Sequence, residues 1–199
     1  CVMSVSARKE EGMAPWYESL FEEASVDRQP MAVDYDVYAD GEALLGWLNA
    51  TITLSAATEF DANAYLSSLA QILHRRLREQ NAEVAHLKMT FSPDDGIAGE
   101  IASVNLVRND NVPESGMTLD EPSTGGQLIV NLRAETGPDE LLDTLQQAIA
   151  EIAAVHPDVA AKLDHEEHFR PGRPVPTHRD GEAPEMVVKG GCRPGSGCC

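Results

Sequence analysis

Residues 44–55, LLGWLNATITLS, decide the class of fold. Leu48, Ala50, Ile52 and Leu54 fall on one side of an extended chain, and Trp47, Asn49, Thr51 and Thr53 on the other. A period of two with β-branched residues at its end marks a half-buried strand. A few residues later the period changes. Asp61 stands where a helix cap belongs, and Tyr65, Leu66, Leu69, Ile72, Leu73 and Leu77 recur at helical spacing to about Glu79. Arg75, Arg76 and Arg78 suit the negative end of that helix.

Downstream, Glu83–Phe91 alternates again, with Ala85, Leu87, Met89 and Phe91 on one face and His86, Lys88 and Thr90 on the other. Pro93-Asp94-Asp95-Gly96 is a turn, and Ile101–Val107 completes a hairpin that buries Ala102, Val104 and Leu106. Residues 109–126, rich in Pro and Gly, read as a mobile loop; Gln127–Ala134 returns as a strand. Gly137-Pro138-Asp139-Glu140 opens a second helix, with proline at its first position and two acids at its positive end. Residues 42–156 thus read β-α-β-β-β-α, an α/β (α+β) domain with a mixed sheet, a right-handed crossover and helices over one face. The other face would display Asn49, Thr51, Thr53, His86, Lys88, Ser103, Asn105, Asn131 and Arg133. Such a face is either ordinary solvated surface or a docking surface, and its basic residues in an acidic chain speak for docking.

Upstream, Cys1–Val5 reads as a buried strand, Ser6-Ala7 as a turn, and Gly12 as the close of a charged loop. Met13, Trp16, Tyr17, Leu20 and Phe21 then share one helical face. Residues 1–30 are half of an α/β unit, in which ligands collect at the strand's carboxyl end. The opening cysteine without an initiator Met suggests the tail of a longer protein. Residues 31–41, alternating Val33, Tyr35 and Val37 with acids, form an extended connector.

From 157 to 199 regularity fades into a Pro/Arg-rich tail ending GGCRPGSGCC, flexible by composition. Fifteen Lys+Arg against 33 Asp+Glu give a net charge of −18, which argues against nucleic-acid phosphates as the partner. No apolar run approaches the roughly 20 residues of a membrane span, and a cytoplasmic location is expected. Aromatic residues make up only 5%, so the core should be aliphatic.

Cys192, Cys198 and Cys199 crowd the last eight residues, which is no disulfide framework. Their thiolates suit zinc or cuprous copper, although C-x5-C-C is not a zinc-knuckle spacing. His165 and His168, three apart, would share a helical face and add imidazoles. The histidines of HEEH are too close for a metalloprotease helix, which needs i and i+4. Arg170 and Arg173 suit internal ion pairs, and no nucleophile–base pair can be assembled.

VSARKEEGMAPWYESL resembles the last strand, loop and helix of CobW-like P-loop GTPases, relatives of the nickel-insertion GTPases. VDYDVYADGEALLGWLNA, AEVAHLKM, VNLVRND and HFRPGRPVPTHR, in that order, are similar to the C-terminal portion of one subgroup. The resemblance implies the end of a GTPase domain followed by a small α/β domain and a flexible tail. Ser6 and Ala7, with the adjoining Arg8, would then mark the guanine side of a GTP site. It further implies delivery of a metal, zinc among the candidates, or of a cobalamin-related cofactor, to a metalloprotein or cobalamin-pathway client. GxxxxGK[ST], Asn-Lys-x-Asp and an internal Cys-x-Cys-Cys are all missing from these 199 residues, so this portion should not hydrolyse GTP alone. The alternative is a non-enzymatic interaction module that docks through the polar sheet face. Homo-oligomerisation stays open.

Overall fold

In the computed structural model, residues 3–7, 9–21, 41, 43–94 and 99–172 are described. They belong to two units, one within Cys1–Val33 together with Pro176–Cys199 and one within Asp34–Val175.

In the first unit, Ser6 and Glu11 form a single antiparallel bridge, the Ser6 N–H donating to the Glu11 carbonyl at 2.9 Å. Glu10 (φ +56°) and Gly12 (φ +68°) turn the chain left-handed. A Cβ at Gly12 would lie 2.4 Å from the Ser4 carbonyl oxygen, so both dihedral and space call for glycine. Helix α1, Met13–Phe21, follows. Its apolar stripe lies on the surface: Trp16, Tyr17, Leu20 and Phe21 are all exposed, Phe21 by 86%. The strand expected over Cys1–Val5 does not form in its described part, because residues 3–5 have no ladder partner, and an extended segment becomes a strand only by pairing. Cys1, Val2 and the connector expected over 31–41, apart from Gly41, lie outside the described residues.

The second unit begins with β1, Gly46–Phe60. Asp61 caps α2, Ala62–Glu79, its carboxylate accepting the Ala64 N–H at 3.0 Å. All six apolar positions predicted for this helix are buried. Strands β2 (Val84–Pro93), β3 (Ala102–Leu106), β4 (Glu114–Ser115) and β5 (Ser123–Ala134) come next. Helix α3, Pro138–Val155, starts on its proline with Asp139 and Glu140 in the first turn, and β6, Val159–Phe169, ends the sheet.

The strand order is β4-β3-β2-β5-β1-β6, and every pairing is antiparallel. The mixed sheet expected from sequence is therefore corrected. Strands β1 and β2 do run the same way, but β5 lies between them; likewise β1 lies between β5 and β6. Two split β-α-β units interleave, the ferredoxin-like arrangement, with β3 and β4 added at one edge. Helices α2 and α3 pack on the same face, where Leu48, Ile52, Leu54, Leu87, Met89, Val130 and Leu132 meet Leu66, Leu69, Leu73, Leu141, Leu145 and Ile152. The core is aliphatic, with Tyr65 and Phe91 its largest buried side chains.

Two further expectations change. The tail predicted from residue 157 starts instead with β6, which pairs with β1 from Ala56↔Val159 to Trp47↔Phe169. An extra residue at Asp164 bulges the strand and breaks its alternation. The mobile loop predicted over 109–126 is pinned. Asn63 pairs with both the N–H and the carbonyl of Leu119, at 3.0 and 2.9 Å, and Asn109 bonds Val84 N–H and the Ala82 carbonyl. Arg170 donates to the carbonyls of Ala43 and Thr136, holding the chain beyond β6 against two neighbours.

Where β5 threads between β1 and β2, a Cβ at Gly126 would lie 2.3 Å from the Ser92 carbonyl oxygen and 2.6 Å from the Phe91 ring. Gly126→Ala should cost about 1–3 kcal/mol by overpacking, read from the urea midpoint, with Gly172→Ala, which meets nothing within 4 Å, as control. Equal midpoints would contradict this threading. Burial pushes the Tyr65 hydroxyl up to about 12 from its usual 10. The stabilisation tied to its neutral form is complete below pH 10 and is lost as pH rises toward 12. Tyr65→Phe should flatten the fall of stability across that window, and an unchanged slope would refute the assignment.

Candidate functional site: the open face of the sheet

Because side chains alternate along a strand, the residues opposite the core form a second face, away from the two helices of this unit. The registers align it into rows. Glu114, Asn105, Lys88, Asn131, Asn49 and Glu167 stand side by side across all six strands. At about 4.8 Å per strand, the four central residues span roughly 14 Å. On one side of this row lie Ser103, Thr90, Ile129, Thr51 and His165; on the other lie His86, Arg133, Trp47 and Phe169.

The central row is polar at every strand, and its members are not engaged with one another. Asn49, Asn105 and Asn131 are half-buried, yet neither their amides nor Lys88 make a side-chain hydrogen bond to any described residue. The Arg133 guanidinium stacks on the Trp47 ring with its carbon 3.6 Å from the centroid, and Trp47 meets Phe169 at 5.7 Å. The Trp47 Nε1 is buried without a hydrogen-bond partner among the described residues. A buried unpaired N–H costs about 1–3 kcal/mol. His86 sits directly across from Arg133. Its imidazole is held below its usual range by partial burial first, then by the charges of Arg133 and Lys88.

Toward β6 the face is more committed. Thr53 donates to Asp164, which also pairs with Lys162; these bonds hold the Asp164 carboxyl below its usual range, the Lys162 contact most strongly. Ser103 is buried, its hydroxyl accepting the Met117 N–H at 3.0 Å. Eight of the nine residues expected on this face keep a surface position, and Ser103 is instead taken up by the β4 turn. Glu114, Glu167, His165 and Phe169 join it through strands the sequence reading did not foresee. The alternation of Val159, Ala161 and Leu163 was the available signal for β6.

The metal ligands predicted from sequence do not converge. His165 pairs with Thr51 on the open face, whereas His168 pairs with Leu48 on the helix side and bonds Asp139 at 3.1 Å. A strand, unlike the expected helix, sends residues three apart to opposite faces. Cys192, Cys198 and Cys199 lie outside the described residues, and among the described residues no three His, Cys, Asp or Glu gather as a metal site. Among the proposed nucleotide-side residues, Ser6 turns its hydroxyl into its own loop, accepting the Lys9 N–H at 3.3 Å, and Ala7 is exposed in the turn. Arg8 lies outside the described residues.

A second concavity of about 570 Å³ lies on the outer side of α2, lined by His74, Arg75, Arg78, Val112 and Pro113 among others. Its polar groups are largely spoken for: Arg75 pairs with Glu79 and Glu151, and His74 bonds the Asn109 carbonyl. No described helix is long and apolar enough to cross a membrane. Comparison with family models, curated proteins and solved structures finds no match to this chain.

Proposed function

We propose that this chain is the docking portion of a CobW-like GTP-binding protein, and that it works in the cytoplasm to deliver a metal or cobalamin-related cofactor. The observation that carries the docking part is the sheet face opposite the unit's two helices, with a six-strand polar row whose central amides and lysine have no described partner. The family part rests on the resemblance of the Ser6-Ala7 segment and of the succession that follows it. A loop closed by Gly12 and leading into α1 at Met13 is compatible with that resemblance. In this reading GTP binds and is hydrolysed by a nucleotide-binding core, and the sheet face relays its state or holds the client. Metal cargo would be handled by Cys192, Cys198 and Cys199, because His165 and His168 do not fit one shared ion.

A second reading keeps the docking and drops the GTPase: a non-enzymatic interaction module using the same face. Nucleotide dependence separates the two. The chain is mixed with the nucleotide-binding core of a CobW-like GTPase, loaded with GDP or a non-hydrolysable GTP analogue, and association is followed by calorimetry. Association should differ between nucleotides, fall at least tenfold with Thr51→Arg on the open face, and be indifferent to Gln71→Arg on the helix side. Nucleotide-independent association that keeps the Thr51→Arg effect favours the second reading; equal losses from both substitutions refute both. For the cargo, zinc titration of the reduced chain should show at least tenfold tighter binding than the Cys192→Ser/Cys198→Ser/Cys199→Ser variant. Equal binding by the two removes metal handling from the proposal.

A further inference from the structure

We propose that the His86–Lys88–Arg133 cluster is an anion-recognition site whose occupant is an acidic peptide segment of the docking partner. The proposal rests on the docking reading and names its chemistry.

His86 and Arg133 are direct cross-strand partners on β2 and β5, and Lys88 and Asn131 are the next such pair on the same face. Directly opposed residues have Cβ atoms about 4.5–5.5 Å apart and diagonal neighbours about 7–8 Å. Lys88 and Arg133 are such a diagonal pair, so two cations and a histidine share this block of two strands. The chain has only 15 Lys+Arg against 33 Asp+Glu, so an unpaired cationic cluster is not a matter of supply. Several other cations are paired, Arg75 and Arg76 with Glu151, Arg108 with Asp110, and Lys162 with Asp164, whereas Lys9 and Arg78 stand singly among the described residues. Lys88 and Arg133 form no ion pair with any described residue. On this face Glu114 and Glu167 stand at the ends of the polar row, and Asp164 is already held by Thr53 and Lys162.

The donors are also arranged to be used. Stacking on Trp47 holds the Arg133 guanidinium without consuming its N–H groups, which a carboxylate can take two at a time. Lys88 adds three donors, and the flanking Asn131 and Asn105 amides add more, so the centre is rich in donors and lacks acidic acceptors. The His86 imidazole is held below its usual range by burial first and then by Arg133 and Lys88, and arriving carboxylates would oppose that shift. A positive centre on a chain of net charge −18 selects acidic segments that reach that centre.

The test uses the full chain with hexaglutamate, and with hexaglutamine and inorganic phosphate as comparison ligands, followed by amide chemical shifts and calorimetry. Hexaglutamate should shift the amides of Lys88, Asn131 and Arg133, bind at least tenfold tighter than hexaglutamine, and weaken as salt rises. Lys88→Glu and Arg133→Gln should each lower its affinity at least tenfold with unchanged circular dichroism. Arg133→Lys, which keeps the charge and loses the flat fork, should lose less than Arg133→Gln. The proposal is overturned if hexaglutamate fails to bind, if phosphate binds as tightly, or if the shifts fall on Arg75 and Arg78. Loss of partner association with Thr51→Arg, alongside no hexaglutamate binding, would refute the acidic occupant while leaving the docking reading intact.

Discussion

The second unit depends on β5 lying between β1 and β2. Once it does, β1-α2-β2 and β5-α3-β6 are two split units in one sheet, running in opposite directions and stepping sideways in opposite senses. Right-handed crossovers then bring both helices to the same face. That single placement creates the one-sided core and, by the same act, the open face. It needs room, which explains Gly125 and Gly126 at the point of entry: side chains there would strike the Leu54 and Ser92 carbonyls. The two helices are joined across their outer edge by Arg75 and Arg76 on Glu151, and inside by Gln80, whose amide donates to the buried Thr144 hydroxyl at 3.0 Å.

Much of this was legible in the residues. The alternation of Leu48 to Leu54, the Asp61 cap and the Pro138-Asp139-Glu140 start are local signals, and each element formed where its signal stood. Strand order is a different kind of quantity. Nothing in the local pattern of Gln127–Ala134 says whether it lies beside β2 alone or between β2 and β1. Strand β6 was hidden by its own chemistry: the bulge at Asp164 shifts the inward positions from Val159, Ala161 and Leu163 to Glu166 and His168. Polar residues at inward positions of an edge strand defeat a hydrophobic template. The 109–126 segment was misread for a related reason, because Asn63 and Asn109 fix it with side-chain bonds that span 56 and 25–27 residues. The face was largely foreseen residue by residue, but not the row, since a row exists only once the register does.

The docking proposal rests on the contrast between the two faces. A solvated antiparallel face commonly shows scattered polar residues of mixed sign. Here the cations are central, the acids peripheral, and an indole N–H is buried beside them without a partner among the described residues. Lys88 and Arg133 are diagonal neighbours on this face in a chain of net charge −18. Stability alone would favour one acid in that block.

The edges of the sheet bear on the same question. An open sheet can associate edge to edge or face to face, and exposed edges are the default hazard. At one edge β4 is only two residues long, which leaves little ladder to extend. At the other, β6 is eleven residues long but carries Lys162, Asp164, His165, Glu166 and Glu167 and is bent by its bulge. Short length, charge and a bulge are the means by which strands are kept from pairing with other chains. In the second unit both edges are thus guarded against added strands and the helices occupy one face, which is why the docking proposal falls on the other. Its affinity must then come from side chains rather than backbone ladders. That places the burden on a few groups with strong, directional chemistry, and on this face those groups are Arg133 on its tryptophan, Lys88, and the half-buried amides between them.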